Sequence, residues 1–370
     1  MNRPVAKFPS HAALIYLSRL LLQPLNADAR PESEKTTQDG VPLNPPHDKE
    51  DLLRLAHSHH VDVRGLESFL NLRREEQNPN SVQWAVDALS AEKLRIARAI
   101  PFLHEICAAF HEQRRAIAVI KSLDHWPDLG SDLDLFTNAD PDDVIRLMTR
   151  TFSAQLDPRS WGDVLANKWN FSIPGLPEAV EIHVGRLGQT GEHVAIALSL
   201  TECARQIHAG GYDFKVPSIS HRLIISTLQR MYRHFNLRLC DIVDTAAIAD
   251  AGLIDYEDLR TLANSAGIWE GVATYLAIIS DYVTTYRGAG LELPRFVLTA
   301  ARFGGSEIYY DQGFLRVPIM PHSVRLYGSE LVRVLRRGEL HNGARLSLLP
   351  LLGTVAMAKH RLTGSDKGIW

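Results

Sequence analysis

Residues 121–136 read Lys121-Ser122-Leu123-Asp124-His125-Trp126-Pro127-Asp128-Leu129-Gly130-Ser131-Asp132-Leu133-Asp134-Leu135-Phe136, and their reading decides the fold. Pro127-Asp128-Leu129-Gly130-Ser131 is a turn signal. Leu133-Asp134-Leu135-Phe136 after it has the composition of a half-buried strand. Side chains alternate along a strand, so Asp132 and Asp134 leave from one face while Leu133 and Leu135 enter the core. Two carboxylates held in this way are oxygen ligands for hard divalent cations such as Mg²⁺. Paired ions ~3.5–4 Å apart can clamp the attacking and leaving oxygens of an in-line phosphoryl displacement. Gly130 and Ser131 offer backbone N–H groups and a hydroxyl to phosphate oxygens.

Working outward, Ala116-Ile117-Ala118-Val119-Ile120 is a short apolar run that predicts a buried strand. Downstream, Asp140 is placed to cap a helix that has Pro141 at its first position and carries Val144, Ile145, Leu147 and Met148. Two more strands fit 169–173 and 180–184, joined by Pro174-Gly175-Leu176-Pro177. The pattern over about 116–186 is thus β–turn–β–α–β–β. In Val180-Glu181-Ile182-His183-Val184 the aliphatic residues point inward, and Glu181 and His183 share the other face. Glu181 therefore supplies the third carboxylate that a phosphoryl-transfer metal centre requires.

Helical periodicity surrounds this core. It begins at Lys49, passes through His57-Ser58-His59-His60, and runs again over 82–115 with a break expected at Pro101. Helices return beyond Ser218 through Asp281, and the tail from Pro294 is mixed, with a hairpin over 308–317. The polar, Pro-rich stretch 27–48 reads as a flexible excursion. The expected organisation is α+β: an N-terminal helical region (1–115), a small mixed-sheet core (116–215), a helical domain (216–290) and a basic C-terminal region (291–370).

Composition bounds the function classes. The 370 residues are 45% hydrophobic and 22% charged with a net charge of −3, an ordinary globular balance that excludes disordered and fibrous chains. The charge is uneven: from Arg295 onward the chain carries about +6, so a basic tail follows an acidic majority. Nine lysines stand against 31 arginines, which gives weight to a lysine in the polar motif at 121. Cys107, Cys203 and Cys240 form neither a disulfide framework nor a zinc spacing, which points to a reducing cytoplasm. The apolar run at 12–17 is interrupted by Arg19 and followed by Pro24, against a secretory signal. The apolar stretch 346–358 falls short of the ~20 residues of a membrane span, so no membrane partner is expected.

The motifs in their order resemble the DNA polymerase β-like nucleotidyltransferase superfamily, and within it the bacterial "uncharacterised nucleotidyltransferase" family. The likeness rests on Lys121-Ser122, on Gly130-Ser131-Asp132-Leu133-Asp134-Leu135, on Glu181-Ile182-His183 and on Leu237-Arg238-Leu239-Cys240-Asp241-Ile242-Val243-Asp244. It covers about 50–280 and leaves the tail out. Ser122 stands where the family usually has glycine, and the arginine common before Asp-x-Asp is lacking. The resemblance implies a nucleotidyltransferase core and transfer of NMP from an NTP such as ATP to an acceptor hydroxyl, with pyrophosphate release. It also implies two Mg²⁺ ions on Asp132, Asp134 and Glu181, and triphosphate contacts from Lys121, Gly130 and Ser131. The acceptor is a small molecule, a protein or RNA, and the basic region 291–370 could engage the last two. Two other readings are a toxin-like enzyme acting on tRNA or protein, and a non-catalytic nucleotide-binding scaffold, for which Ser122 speaks. Bland roles are expected elsewhere. Asp124 and Asp128 read as turn carboxylates, and the histidines of 57–60 as a solvated face. Arg222, Arg230, Arg233 and Arg238 read as intrahelical ion pairs with Asp241 and Asp244 or as packing, with a contact of Arg230 or Arg233 to the triphosphate or acceptor as the alternative. Arg333, Arg336 and Arg337 read as an exposed helix face.

Overall fold

The structure, a computed structural model, describes residues 8–22, 49–75, 79–352 and 354–355; the excursion expected at 27–48 lies outside them. The described chain begins with α1 (His11–Leu22), α2 (Lys49–Ser58), α3 (Asp62–Glu75) and the long α4 (Pro79–Glu112). The sheet unit follows as β1 (Ile117–Val119), β2 (Asp132–Thr137), α5 (Pro141–Thr151), β3 (Gln155–Leu156), α6 (Trp161–Ala166), β4 (Lys168–Ser172) and β5 (Ala179–Val184). Helix α7 (Val194–Glu202) and the hairpin β6 (Arg205–Ala209) and β7 (Tyr212–Val216) lead to α8 (Ile219–Thr227) and a π-turn at Leu228–Arg233. Next come β8 (Asn236–Leu237), α9 (Leu239–Asp250), α10 (Tyr256–Ser265) and α11 (Trp269–Arg287). The chain then continues through α12 (Arg295–Ala300), β9 (Tyr309–Asp311), β10 (Phe314–Arg316), α13 (Val324–Arg336) and α14 (Leu340–Ser347).

The α+β class and the β–turn–β–α–β–β pattern both hold, with the short β3 and α6 added between α5 and β4. The sheet is mixed, in the order β1-β2-β5-β4-β3. Strands β2 and β5 are parallel, and every other neighbouring pair in it is antiparallel. Helix α5 starts as its sequence dictates: Asp140 accepts from the Asp142 N–H at 2.9 Å and Pro141 occupies the first turn. The expected hairpin near the C-terminus is β9–β10, and β8 joins it as a third strand. Pro101 does not break the helix: α4 runs through it. Ala99, Ile100 and Leu103, at most 2% exposed, pack on both sides of the proline. That burial offsets the lost backbone bond.

Two cores divide the molecule, and the sheet lies between them. Leu133, Leu135, Val180, Ile182 and Val184 pack with Ile96, Ile100 and Leu103 of α4, Val144 and Met148 of α5, and Phe214 of β7. From the other side of the sheet, Phe136 and Ala118 join a helical core. That core merges Leu14, Leu17 and Phe69 from the N-terminal helices with Ile242, Leu276 and Ile279 from α9 and α11. The N-terminal helices α1–α3 thus share one interior with the later helices, because neither set alone can enclose its apolar faces. Among the described residues no helix is long and apolar enough to cross a membrane.

Candidate active site

The polar positions of β2 and β5 line the seam between sheet and helical core. In the parallel register Asp134 lies opposite Glu181, Asp132 opposite Ala179 and Phe136 opposite His183. The period of two then places Asp132, Asp134, Glu181 and His183 on one face, as their spacing predicts. Lys121, where β1 gives way to the loop, enters this cluster with its Nζ 2.5 Å from Asp134 Oδ1 and 3.2 Å from both Glu181 Oε1 and His183 Nε2. It does so with φ +59°, a left-handed conformation that costs a side-chain-bearing residue about 1–2 kcal/mol. Such strain persists where surrounding contacts impose it, often at functional sites.

Ser122 braces the backbone at this point. It is 3% exposed; its Oγ donates to the Asp132 carbonyl at 3.1 Å and accepts from the Asp134 N–H at 2.7 Å. The hydroxyl therefore fixes the backbone between the two aspartates. Glu181 is held from both sides: Oε1 lies 2.8 Å from His183 Nε2, and Oε2 accepts from Lys168 Nζ at 2.8 Å. Lys168 also pairs with Asp163 at 2.8 Å. Burial opposes ionisation of Glu181, but Lys121, His183 and Lys168 outweigh it and hold the carboxyl well below the usual range. Burial likewise opposes the charge on Lys121, and Asp134 and Glu181 overcome it, raising its pKa. Asp132 is exposed at the rim, and its nearest side-chain partner is Ser131 Oγ at 3.3 Å. Partial desolvation and repulsion from Asp134 and Glu181 raise its pKa.

The expected carboxylate trio thus shares one face, but the tight cluster is Asp134, Glu181 and His183, whose ligand atoms lie within 4.8 Å of one another. Lys121, expected at a triphosphate, is lodged against the carboxylates. Ser131 is exposed beside Asp132, and Gly130 meets the His60 ring: a Cβ there would lie 3.3 Å from Cε1. A side chain there would press on the ring unless His60 shifts by a few tenths of an ångström.

Several residues given bland roles by their sequence context build the site. Asp128, 1% exposed, accepts from the Val63 N–H at 2.6 Å and from Arg64 Nε at 2.5 Å. Arg64 reaches on to Asp244 at 2.5 Å, and Asp244 also pairs with His125 Nδ1 at 2.5 Å. Asp124 pairs with Arg222 Nε at 2.8 Å. Arg95 of α4 donates to the carbonyls of Leu129 and Gly130 at 2.7 and 3.2 Å, and pairs with Glu178 at 2.8 Å. The loop 121–131 is therefore bolted to α3, α4, α8 and α9, and its acids, which lie in turn structure as expected, are also buried ties between elements. Of the histidines expected on a solvated face, His57 is exposed beside Asp62 at 3.5 Å, whereas His59 and His60 turn inward. His59 is fully buried, with Nε2 2.8 Å from the Gly313 carbonyl and Nδ1 accepting from the Leu239 N–H at 2.9 Å. His60 comes within 4.8 Å of His125 and Cys240, a proximity invisible at their sequence separation.

The arginines divide in two. Arg222 and Arg230 are committed to Asp124 and Asp241, across elements and not along one helix. Arg233 and Arg238 have no carboxylate partner among the described residues; Arg238 Nη1 instead approaches His60 Nε2 at 2.7 Å. Burial and Arg230 lower the pKa of Arg238, while Asp132 is among the acids acting against them. Unpaired guanidinium groups beside a carboxylate rim suit a phosphate ligand. In the tail, Arg333 pairs with Glu270 at 2.7 Å and Arg337 donates to the Asn264 and Ser265 carbonyls. Of the three arginines expected on an exposed face, Arg336 and Arg337 are exposed, though Arg337 is tied to those carbonyls, and Arg333 is half-buried against Glu270.

No protein-family model matches this chain, and no curated protein matches it.

Proposed function

We propose that this protein is a nucleotidyltransferase that moves NMP from an NTP to an acceptor hydroxyl. The carrying observation is the in-register pairing of Asp134 with Glu181 on parallel strands, with Asp132 on the same face. The motif likeness and the unpaired Arg233 and Arg238 beside that face support the same reading. The donor set suits Mg²⁺: three carboxylates face Lys121 and Lys168, Lys168 is shared with Asp163, and desolvation together with repulsion from Asp134 and Glu181 raises the pKa of Asp132. Asp132, Asp134 and Glu181 would hold the ions, which when bound neutralise triphosphate charge and polarise the acceptor oxygen.

The chain's own groups do the rest. Arg233 and Arg238 attract the polyphosphate, and Gly130 and Ser131 present N–H and hydroxyl donors to it. The acceptor oxygen bonds to the α-phosphorus as the bond to the β-phosphate bridging oxygen breaks, pyrophosphate leaves, and Asp132 takes the hydroxyl proton. The free thiols of Cys107, Cys203 and Cys240 support a reducing, cytoplasmic setting.

The test is incubation with α-labelled ATP, CTP, GTP and UTP against total tRNA, lysate protein and a small-molecule extract. Label should move to one acceptor class, and Asp132→Asn or Asp134→Asn should reduce transfer on the order of 10²–10³-fold with an unchanged circular dichroism spectrum. Equal activity in both variants would sink the assignment. A second reading draws on the ammonium of Lys121 lying among Asp134, Glu181 and His183. There the lysine takes the cation's place, and the protein is a non-catalytic nucleotide-binding scaffold. NTP binding without transfer and without Mg²⁺ dependence would favour it.

A further inference from the structure

A second cluster of metal-binding side chains lies outside the seam. Glu192 and His193 sit in the loop between β5 and α7, and Glu330 projects from α13. They are 6%, 4% and 1% exposed. His193 Nε2 lies 3.1 Å from Glu330 Oε1 and 3.6 Å from Glu192 Oε1, and the three donor atoms fall within 4.8 Å of one another. Glu192 is positioned by its other oxygen, which accepts from the Thr190 N–H at 2.8 Å and Thr190 Oγ1 at 3.0 Å. Its carboxylate is folded beneath Gly188, where φ is +89° and a Cβ would come 2.4 Å from Glu192 Cδ. The loop is thus shaped around that carboxylate.

Two observations call for a cation. Among the described residues no lysine or arginine forms an ion pair with Glu192 or Glu330; Arg345 acts on Glu192 only from further off, so a protonated His193 leaves part of the buried negative charge unpaired. Uncompensated burial of that charge is strongly unfavourable. Moreover, His193 Nε2 and Glu330 Oε1 are both buried and neither has a well-directed hydrogen bond, although they are 3.1 Å apart. Atoms that close but not aligned on each other are arranged as ligands around a third centre are. Tetrahedral zinc with ligand distances of 2.0–2.2 Å sets neighbouring donors about 3.3–3.6 Å apart, close to the spacing found. A divalent ion with neutral imidazole cancels both carboxylate charges. The imidazole favours a zinc-type ion over Mg²⁺ or Ca²⁺.

We infer that Glu192, His193 and Glu330 form a buried site for a zinc-type divalent ion that staples α13 to the loop leaving β5. The same strand carries Glu181 and His183, so the ion ties the basic C-terminal region to the candidate active site. This inference does not depend on the transferase reading.

The test uses the full chain carrying Asp134→Asn, which weakens the other carboxylate site, stripped with a chelator and titrated with Zn²⁺ against a chromophoric competitor. One equivalent should bind, and Glu330→Gln and His193→Gln should each lower the affinity at least tenfold while the circular dichroism spectrum holds. Co²⁺ loading should give visible bands that both variants lose. X-ray absorption of the Zn²⁺-loaded chain, needing no ligand variant, should show a nitrogen and oxygen shell with imidazole scattering. Failure to bind Zn²⁺ or Co²⁺, unchanged affinity in both folded variants, or sulfur in the shell, as Cys240 with His60 and His125 would give, overturns the site.

Discussion

Lys121 and Ser122 show how two adjacent residues can set a site's charge and its backbone. The ammonium of Lys121 pairs with both Asp134 and Glu181, and its side chain is 16% exposed. Lys121→Met should therefore destabilise the fold by about 2–3 kcal/mol, somewhat less than the ~3–5 kcal/mol for breaking a fully buried pair. Urea unfolding measures this, and no change would mean that the lysine is held only loosely by the acids. Ser122→Gly removes both hydroxyl bonds to β2. We expect a loss of about 1–2 kcal/mol, again read by urea unfolding; greater stability in the glycine variant would refute the bracing role. At this scale the common face of Asp132, Asp134, Glu181 and His183 was legible, because strand periodicity alone requires it. The partner of Lys121 was not, since a left-handed φ at the end of β1 has no sequence signal outside glycine and asparagine.

Among elements, helix α11 provides a test whose sign distinguishes local propensity from packing. Gly271 lies in its first turns, and a Cβ there would come 2.3 Å from the Tyr232 hydroxyl and 2.6 Å from the ring. Tyr232 belongs to the π-turn after α8, so the glycine lets the two elements meet. On helix propensity alone Gly271→Ala should raise stability by about 1 kcal/mol. The close approach reverses this, and we expect a loss of about 1–3 kcal/mol, seen as a lower Tm. Pro101 teaches a related lesson. Its local rule predicts a break, yet burial on both sides keeps α4 continuous. The β6–β7 hairpin is legible only in part: Tyr212-Asp213-Phe214-Lys215-Val216 alternates strictly, but β6 opens on two polar residues, and contacts with α4 and β1 decide which face is the inner one.

Across the whole molecule, the buried network of Arg64, Asp128, His125 and Asp244 joins three parts of the chain at the candidate site. Burial opposes the charge on His125, but Cys240 and Asp244 outweigh it and hold its pKa well above 6.5. Burial also opposes the charge on Asp244, and His125 and Arg64 hold its pKa below 3.8. The folded state therefore binds the histidine proton more tightly than the unfolded chain. That stabilisation is complete below pH 6.5 and is lost as pH rises through the folded value. The share from Asp244 is present above pH 3.8 and is lost as pH falls through its lowered value. Urea midpoints from about pH 5 to about pH 9 should fall on the alkaline side, and His125→Gln should flatten that limb. An unchanged slope in the variant would show that another group titrates there.

The sequence by itself determined the α+β class, the strands that bear the acids and the face on which those acids lie. These follow from periodicities of two and 3.6 residues and from local caps and turns, all readable within a dozen positions. Tertiary structure decided which charges meet. Arg64 finds Asp128 and Asp244, Arg238 finds His60, and His193 finds Glu330, across separations of 64 to 180 residues. Exposed charges are cheap wherever they fall, so a single sequence does not distinguish a solvated arginine from a buried one. The distinction appears when packing removes water and leaves each ion to find a partner or carry the cost of lacking one.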